Sequence, residues 1–549
     1  MDKSIASILT TLFKKWGIDY AFGIPGKPLV PLLAEFQKQE MRFILSRHES
    51  GAGFAAAGYS LINNQLGVAV GTSGPGGTNL LTAAGQAKAY HAPVLFITGH
   101  PSSRQTGKPL GQDSSIFGTD LVKMFESVTL FSAKVETSAQ FELMLKHAVD
   151  HACSGRKGPV HLSIPMEVLL EKIPPFSFDL PAERPETISA RLPSVIERLN
   201  NSEHAVLFVG KGVHISKAYK QVQWLAESWN IPVVTTPGGK GAFPTEHPLS
   251  LGAFGLGGNA SARDFIAAGV DEMIVIGSKL TDMSLAGFSE SMHPSHMIHL
   301  DIDAQFMEKS LPLPTLKILG DAKANISEMK RLIEQSNIKV IPQPHYGSTK
   351  PETKGPDAIY ANNKITAEQA VKLIRSHLPN DAVLFGDDGS HTFHAIKHFA
   401  IYEPGTFFFD DVFGTMGHAI GYSIGAKLAQ PDKTIACLTG DGCMFMHGTE
   451  IAAAVDEKLP IIYIVLNNYS LDMVDKGMDK MLGFTVGSSY QQGLDVQAFG
   501  ESLGALSFKC RDEVDIAQAF AQALDNRMGP SVIEIVVDPK EIPPILDRV

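Results

Sequence analysis

The sequence has few cysteines and little charge, and it has no excess of positive charge. The only cysteines among its 549 residues are Cys153, Cys437, Cys443 and Cys510, and none forms a CxxC pair. This spacing fits neither a zinc site nor a disulfide framework, so we expect free thiols in a reducing compartment. The 47 Lys+Arg are outnumbered by 58 Asp+Glu, giving a net charge of −11. That balance argues against non-specific nucleic-acid binding, which needs a basic face.

Long apolar runs are also absent. No stretch approaches the roughly 18 consecutive apolar residues that would cross a bilayer. Near the N-terminus, the apolar residues Ile5, Ile8, Leu9, Leu12 and Phe13 recur at helical spacing, and no small-residue cleavage site follows them. This pattern predicts an amphipathic helix of the folded protein rather than a signal peptide. We therefore expect a cytoplasmic protein that binds neither nucleic acid nor membrane.

Short apolar runs alternate with helical stretches through most of the chain. Typical runs are residues 94–100, 206–212, 273–279, 434–442 and 461–468. Continuous β-branched runs with helices between them are typical of parallel sheets that are buried on both faces. The sequence therefore predicts an α/β fold.

Two polar, proline-rich stretches, 166–190 and 336–363, interrupt this alternation. Such composition is typical of linkers. They divide the chain into blocks 1–165, 190–335 and 364–549, and each block is long enough for its own doubly wound parallel sheet. We expect three such domains.

The most specific pattern lies in the third block. One strand-like run ends at Gly440-Asp441-Gly442, and the next ends at Asn467-Asn468. In a βαβ unit this interval places the Asp and the second Asn at the carboxyl ends of parallel strands, where such sheets bind ligands. A carboxylate, an amide oxygen and a backbone carbonyl suit Mg²⁺, which keeps open positions for diphosphate oxygens. Gly-Asp-Gly alone is ordinary turn chemistry, but its combination with the asparagines is specific.

These two motifs resemble the diphosphate–Mg²⁺ signature of thiamine diphosphate enzymes, and further segments extend the resemblance over the whole chain. The segments are GIPG (23–26), RHESGAGFAAAGYS (47–60), TSGPGGTN (72–79), IPVVTTPGGKGAFPTEHPLSLG (231–252), GDDGSH (386–391) and FGTMGHAIGYSIGA (413–426). They identify the chain as resembling the acetolactate synthase and pyruvate oxidase branch. The resemblance implies that the three blocks are a pyrimidine-binding, a central and a diphosphate-binding domain.

The resemblance also implies roles for individual residues. Glu49 corresponds to the carboxyl group that activates the cofactor through its aminopyrimidine, the carbonyl of Gly414 to the group that holds the 4′-amino nitrogen, and Met416 to the wedge that bends the cofactor. The Mg²⁺ ligands would be Asp441, Asn468 and the carbonyl of Ser470. The other implied cofactor contacts are Gly26, Pro75, Asn79, Ser390, His391, Gly440, Gly442, Cys443 and Met473.

Taken singly, several of these residues have simpler interpretations. Glu49 could be an acidic residue favoured at a helix start by the helix dipole, Met416 could fill the core, and His391 could lie on the surface. Lys27 follows GIPG, where relatives usually have a small residue. It either points inward, toward an anionic group of the substrate, or outward into solvent.

The resemblance leaves open which second substrate accepts the carbon fragment that remains after decarboxylation. The run DMV at 472–474 and Gln112 resemble the flavin-independent, catabolic acetolactate synthases, and the tryptophan that anabolic members carry near Gly477 is absent. Flavin-binding members often carry an arginine at the position of Lys279. The turn Gly210-Lys211-Gly212 lacks a third glycine. FAD is therefore a possible but disfavoured cofactor.

We expect a thiamine diphosphate- and Mg²⁺-dependent carboligase that converts two pyruvates to 2-acetolactate and CO₂, with Glu49, Gln112 and Lys27 at the catalytic centre. The alternatives are a non-oxidative 2-oxo acid decarboxylase or related lyase, and a non-catalytic paralogue, which intact Glu49, Asp441 and Asn468 disfavour. A nicotinamide dehydrogenase would need a complete GxGxxG after a strand, which the sequence lacks. The resemblance further implies a site shared between subunits, and hence a homodimer at minimum and a homotetramer as the favoured assembly.

Overall fold

The computed structural model describes residues 1–181, 187–344 and 364–545. They contain three six-stranded sheets, each made of parallel strands, with helices between the strands. This confirms the predicted α/β class and the presence of three domains. No helix in these ranges is long and apolar enough to cross a membrane, and all four cysteines are free.

The N-terminal domain contains eight strands, of which two form a separate pair. The strands are β1 (Lys3–Ser4), β2 (Tyr20–Gly23), β3 (Arg42–Leu45), β4 (Gly67–Gly71), β5 (Val94–His100), β6 (Phe131–Lys134), β7 (Val160–Pro165) and β8 (Lys172–Ile173). The helices are α1 (Ile5–Lys15), α2 (Val30–Lys38), α3 (Glu49–Asn63), α4 (Pro75–Tyr90), α5 (Leu121–Val128), α6 (Ser138–Cys153) and α7 (Met166–Leu170). The main sheet has the order β3-β2-β4-β5-β7-β6, while β1 pairs with β8 in antiparallel fashion.

The central domain has the strand order of a dinucleotide-binding fold. Its strands are β9 (Ala205–Val209), β10 (Val233–Thr235), β11 (Ser250–Ala253), β12 (Glu272–Ile276), β13 (His296–Asp301) and β14 (Thr315–Leu319). Its helices are α8 (Leu192–Asn201), α9 (Gly212–Ile215), α10 (Tyr219–Trp229), α11 (Ala260–Ala267), α12 (Asp282–Leu285) and α13 (Ala322–Ser336). The order β11-β10-β9-β12-β13-β14 reverses between β9 and β12, where such sheets bind ligands.

The C-terminal domain repeats the strand order of the N-terminal one. Its strands are β15 (Val383–Gly386), β16 (Phe407–Phe409), β17 (Ile435–Gly440), β18 (Ile461–Asn467), β19 (Leu506–Cys510) and β20 (Ser531–Val536). Its helices are α14 (Ala367–His377), α15 (Ser390–His398), α16 (His418–Ala429), α17 (Asp441–His447), α18 (Ile451–Asp456), α19 (Asp472–Leu482), α20 (Val496–Ser502) and α21 (Glu513–Asp525). The order is β16-β15-β17-β18-β20-β19.

The stretch that follows the N-terminal sheet is folded over much of its described length. Helix α7 and strand β8 lie within it, and the indole Nε1 of Trp16 donates to the carbonyl of Phe178 at 2.9 Å. The ring of Phe178 also packs edge-on against Trp16. These contacts hold the stretch against the N-terminal domain as far as Phe178. Residues 182–186 and 345–363, which include most of the second predicted linker, lie outside the described residues, as do 546–549.

Helices α3 and α16 join the N-terminal and C-terminal domains through close backbone contact. A Cβ placed on Gly425 would overlap the carbonyl oxygen of Ala55, and one placed on Gly58 would overlap the backbone of Tyr422. The core that surrounds this crossing contains residues of both domains, including Phe54 and Ile420. Small residues on both helices therefore fix how the two domains lie relative to each other.

Substituting Gly425→Ala should destabilise the protein by about 1–3 kcal/mol, because the added methyl group cannot fit without moving a backbone. Gly477→Ala is the matched control, since a Cβ at this helical position would meet nothing within 4 Å and alanine favours the helix by roughly 0.5–1 kcal/mol. Chemical denaturation of both variants measures the difference. Equal stability of the two would contradict the tight α3–α16 contact.

Candidate cofactor site

A cavity of about 240 Å³, which we call the cofactor pocket, lies at the carboxyl edge of the C-terminal sheet. The strand order reverses there between β15 and β17, the place where open parallel sheets bind ligands. The loops after β15, β16, β17 and β18 form most of its walls. The predicted residues that line it are Ser390, His391, Gly414, Met416, Gly440, Asp441, Gly442, Cys443, Asn468, Ser470 and Met473.

The predicted metal ligands follow two neighbouring strands. Asp441 is buried at the start of α17; its Oδ1 accepts from the N–H of Gly442 at 3.0 Å, and its Oδ2 has no partner among the described residues. Burial raises the pKa of Asp441 to about 7. Asn468 follows β18, and its Oδ1 accepts from the N–H of Ser470 at 3.3 Å. An unpaired carboxylate oxygen beside an amide and a backbone carbonyl fits Mg²⁺, a hard cation that prefers oxygen ligands.

The described residues hold no cluster of three or more His, Cys, Asp or Glu side chains that could bind a metal. A metal at this edge would therefore depend on one carboxylate, supplemented by the asparagine amide and a backbone carbonyl. Mg²⁺ tolerates such a sparse set because it keeps several waters or substrate phosphate oxygens in its coordination sphere.

The glycines on either side of Asp441 leave room for neighbouring side chains of the pocket, including His391. This residue lies in the first turn of α15, and a Cβ on Gly440 would come within 2.9 Å of its Nδ1. Its Nε2 is buried and unpartnered within the described ranges. Burial lowers the pKa of His391 to about 4, so the ring is neutral at pH 7 and can donate one N–H to an anion. A Cβ on Gly442 would come within 3.0 Å of the Met416 methyl group.

Two further groups on this wall have different chemistry. The thiol of Cys443 donates to the carbonyl of Asp388 at 3.2 Å, and burial raises its pKa well above the usual range, so it remains a thiol. The Asp388 carboxyl also lines the pocket. Burial raises its pKa to about 7, and its Oδ2 finds no hydrogen-bond partner in the described part of the chain.

A buried ion pair lies next to the pocket residues. Sequence reasoning does not identify this pair. The Oδ1 of Asp387 lies 3.2 Å from His418 Nδ1 and accepts from the N–H of Gly417 at 2.8 Å. Burial alone would lower the pKa of His418, but Asp387 outweighs it and raises that pKa to about 9. The motif contains Asp387 in GDDGSH, but no local pattern could reveal its partner, which lies on another element.

The remaining predicted residues form a second group, the Glu49 cluster, at the carboxyl edge of the N-terminal sheet. Glu49 is buried at the start of α3, and its Oε2 accepts from Asn79 Nδ2 at 2.9 Å. Glu450 of the C-terminal domain fixes this helix start, because its Oε1 accepts from the N–H groups of Arg47 and His48 at 2.9 and 2.6 Å. Glu450 is a supporting residue that sequence reasoning does not find.

Four other predicted residues complete the Glu49 cluster. Gly26 packs against Thr72 so closely that a Cβ would overlap it. Pro75 is exposed as the first residue of α4, and Gln112 is exposed beside the turn that precedes it. Lys27 is exposed in a short 3₁₀ helix.

The two groups do not meet within one chain. No residue of the N-terminal domain is among the described residues that line the cofactor pocket. Large apolar side chains are exposed near both: Ile116 (76%) and Phe117 (68%) follow Gln112, while Met481 (79%) lies in the last turn of the pocket helix α19 and Phe484 (60%) follows it. Groups of exposed large apolar side chains are common at interaction sites.

A larger cavity of about 430 Å³, the central cavity, lies at the carboxyl edge of the central sheet. It lies where the strand order reverses between β9 and β12. Lys211 and Gly212 of the glycine turn line it, as does Lys279. The basic side chains on its wall are Arg156, Lys157, Lys211, Lys217, Lys279 and Lys323. Asp301, Asp321 and Asp411 also line it, so basic residues outnumber acidic ones, a balance that favours an anionic ligand.

Three models of thiamine pyrophosphate (thiamine diphosphate) enzyme domains match the chain. The N-terminal TPP binding domain matches residues 3–124, the central domain matches residues 192–352, and the C-terminal TPP binding domain matches residues 387–535. The C-terminal match includes most of the cofactor pocket, and the N-terminal match includes the Glu49 cluster. These matches show that the chain is a thiamine diphosphate enzyme.

Similar curated proteins cover nearly the whole chain. An acetolactate synthase of Mycobacterium bovis is 30% identical over 541 residues, which are 95% of this chain and 86% of that protein. A probable acetolactate synthase large subunit of Methanocaldococcus jannaschii is 28% identical over 96% of this chain and 91% of its own length. A putative thiamine pyrophosphate-containing protein of Bacillus subtilis, YdaP, is 28% identical over 97% and 92%. The chain therefore belongs to the acetolactate synthase family of thiamine diphosphate enzymes.

Proposed function

We propose that the protein is a Mg²⁺-dependent carboligase that decarboxylates pyruvate and joins the remaining two-carbon unit to a second pyruvate, giving 2-acetolactate. The observation that carries this proposal is the convergence of eleven motif residues on the cofactor pocket, in a chain whose relatives include named acetolactate synthases. Cytoplasmic location is part of the proposal, supported by the four free thiols.

The residues of the pocket fit thiamine diphosphate and Mg²⁺. Asp441, Asn468 and the carbonyl of Ser470 would hold the metal, and His391 and Ser390 would donate to the diphosphate. The start of α17, at Asp441–Cys443, would add backbone N–H groups, because a helix N-terminus favours anions. Thiamine diphosphate supplies, when bound, a nucleophilic carbon that attacks the 2-oxo acid and accepts the electron pair that CO₂ leaves behind.

The other proposed roles belong to protein groups that contact the cofactor or the substrate. The carbonyl of Gly414 would accept a hydrogen bond from the cofactor's amino group, and the Met416 side chain would support the bent cofactor. Glu49 would contact the pyrimidine ring through its buried carboxyl, which the bond from Asn79 orients. Gln112 and Lys27 would face the substrate.

Because the Glu49 cluster is absent from the wall of its own chain's pocket, we propose that each site is completed by a second copy of the chain. The exposed apolar residues that flank both groups support this arrangement, since a symmetric dimer would bury each group against the other. A homodimer is the smallest assembly that satisfies this requirement, and a homotetramer would contain two such dimers.

Proton NMR should show 2-acetolactate when the purified protein is mixed with pyruvate, thiamine diphosphate and Mg²⁺, and chelation of Mg²⁺ should abolish it. The prediction that FAD is not required is tested in parallel: we expect the same rate without added FAD, in protein that shows no flavin absorbance. Acetaldehyde as the main product would instead establish a non-oxidative decarboxylase. Unchanged pyruvate would contradict the choice of pyruvate as donor.

A mixed dimer of Glu49→Gln and Asp441→Asn chains, isolated through two affinity tags, tests the shared site. Each parent should lose nearly all activity. Each mixed dimer holds one site with both residues intact, so we expect about half of the wild-type activity per dimer. A mixed dimer of Asp441→Asn and Asn468→Ala is the control, because both changes affect the pocket half and every site is defective. No recovery in the first mixture would contradict a site between two chains.

Lys27→Ala should raise KM for pyruvate severalfold with little change in kcat, because a lysine near the substrate carboxylate would contribute to binding. Lys108→Ala, a change of another exposed lysine in the loop that carries Gln112, is the control. Steady-state kinetics of the two variants decide the point. A KM that stays at the wild-type value would assign Lys27 to solvent.

A further inference from the structure

The rim of the cofactor pocket is formed by a backbone segment, Asp410–Gly417, with unusual geometry. Gly414 and Met416 of this segment line the pocket. Phe413 has φ +79°, Gly414 has φ +70° and Gly417 has φ +89°. A bulky residue with positive φ, such as Phe413, is costly and persists only where surrounding contacts enforce it. The segment therefore needs anchors outside itself.

One anchor comes from the central domain. Lys211, at the end of β9, places its Nζ 2.6 Å from Asp410 Oδ1 and 3.5 Å from Asp411 Oδ1. The lysine and Asp410 are buried, with 8% and 0% of their side chains exposed, and the ammonium lies 4.7 Å from the centre of the Tyr90 ring. A charged pair in this setting is held in one geometry, because either partner alone would be an unpaired buried charge.

A second anchor comes from the N-terminal domain. Gln86 of α4 is fully buried, donates from Nε2 to Asp410 Oδ2 and accepts from the N–H of Thr415 at 3.3 Å. Asp410 Oδ1 also accepts from the N–H of Val412 at 3.2 Å. Both oxygens of one aspartate are thus used, and all three domains of the chain meet at it.

The charge at this junction is not distributed symmetrically. One lysine faces two aspartates, and the second, Asp411, also accepts a hydrogen bond from Ser284 Oγ at 3.3 Å. Burial alone would lower the pKa of Lys211, but the two carboxylates outweigh it and raise that pKa. The lysine therefore remains a cation at neutral pH, and its charge is what balances the start of the segment.

We propose that Lys211 is a positioning residue for thiamine diphosphate, which holds the Asp410–Gly417 segment in the shape that receives the cofactor. Lys211 does not line the cofactor pocket; it acts through Asp410, and Gln86 supports the same aspartate from the other side. The proposal depends on the thiamine diphosphate site alone, so the identity of the substrate or product does not affect it.

The test measures thiamine diphosphate affinity by isothermal calorimetry at saturating Mg²⁺, on the full-length protein. Lys211→Met combined with Asp410→Leu and Asp411→Asn removes the buried ammonium together with both carboxylates that it faces, so that no buried charge is left unpaired, and replacement of a buried ion pair in this way is often neutral for folding. We expect a cooperative unfolding transition close to that of the wild type and a Kd for thiamine diphosphate raised at least tenfold. An unchanged Kd in a folded protein would overturn the proposal.

A second variant covers the case in which this first variant does not fold. Gln86→Leu removes the other anchor without leaving a charge unpaired, and we expect it to raise the same Kd severalfold. The control is Arg198→Met combined with Glu272→Leu, which replaces another ion pair of the central domain, with Nε–Oε2 and Nη2–Oε1 distances of 2.7 and 2.9 Å, that touches neither cavity. The control's Kd for thiamine diphosphate should equal that of the wild type. If the control lost as much affinity as the Lys211 variant, Lys211 would have a purely structural role.

Discussion

The arrangement of this enzyme depends on the direct backbone contact between α3 and α16. The glycine and alanine residues at the crossing, such as Gly58 and Gly425, leave no space for larger side chains, so the N-terminal and C-terminal domains are held in one relative position. Glu450 reinforces that position at the start of α3, directly before Glu49. Glu49 is thereby fixed rigidly, yet outside the pocket of its own chain. The proposed site between two chains would use this rigid placement, because Glu49 would have to meet the pocket of a second copy.

The three sheets explain where the ligand sites lie. The N-terminal and C-terminal sheets share one strand order, and the central sheet has another. In each sheet the strand order reverses beside the strand that comes first in sequence, and the candidate sites lie at these reversals. In the C-terminal domain the loops there carry Asp441, Asn468 and His391. In the N-terminal domain the corresponding edge carries Glu49 instead of a metal-binding pattern. Two similar scaffolds therefore carry different side chains at corresponding edges, and in the proposed function one edge would hold the charged end of the cofactor while the other would contact its ring.

The sequence predicts those features of the fold and the site in which a residue directly follows the strand that positions it. The α/β class, the parallel sheets and the pocket residues near Asp441 and His391 follow from local patterns of this kind. The Asp387–His418 pair, the Glu450 contact and the junction of Lys211 with Asp410 could not be predicted, because each joins elements that are distant in sequence. The central cavity is a similar case, since its basic wall gathers side chains from the N-terminal and central domains around a turn that resembles half a dinucleotide motif.

The segment Asp410–Gly417 is a wall common to two cavities. Asp411 and Val412 line the central cavity, whereas Gly414 and Met416 line the cofactor pocket. A ligand in one cavity can alter the other only if its contacts differ between two shapes of this wall. The buried carboxylates of Asp410 and Asp411 and the positive φ of Phe413 restrict those shapes, since any movement must break a charged contact or leave a polar group unpaired. The geometry therefore favours a preorganised pocket, in which the cost of shaping the cofactor site is met during folding rather than on binding.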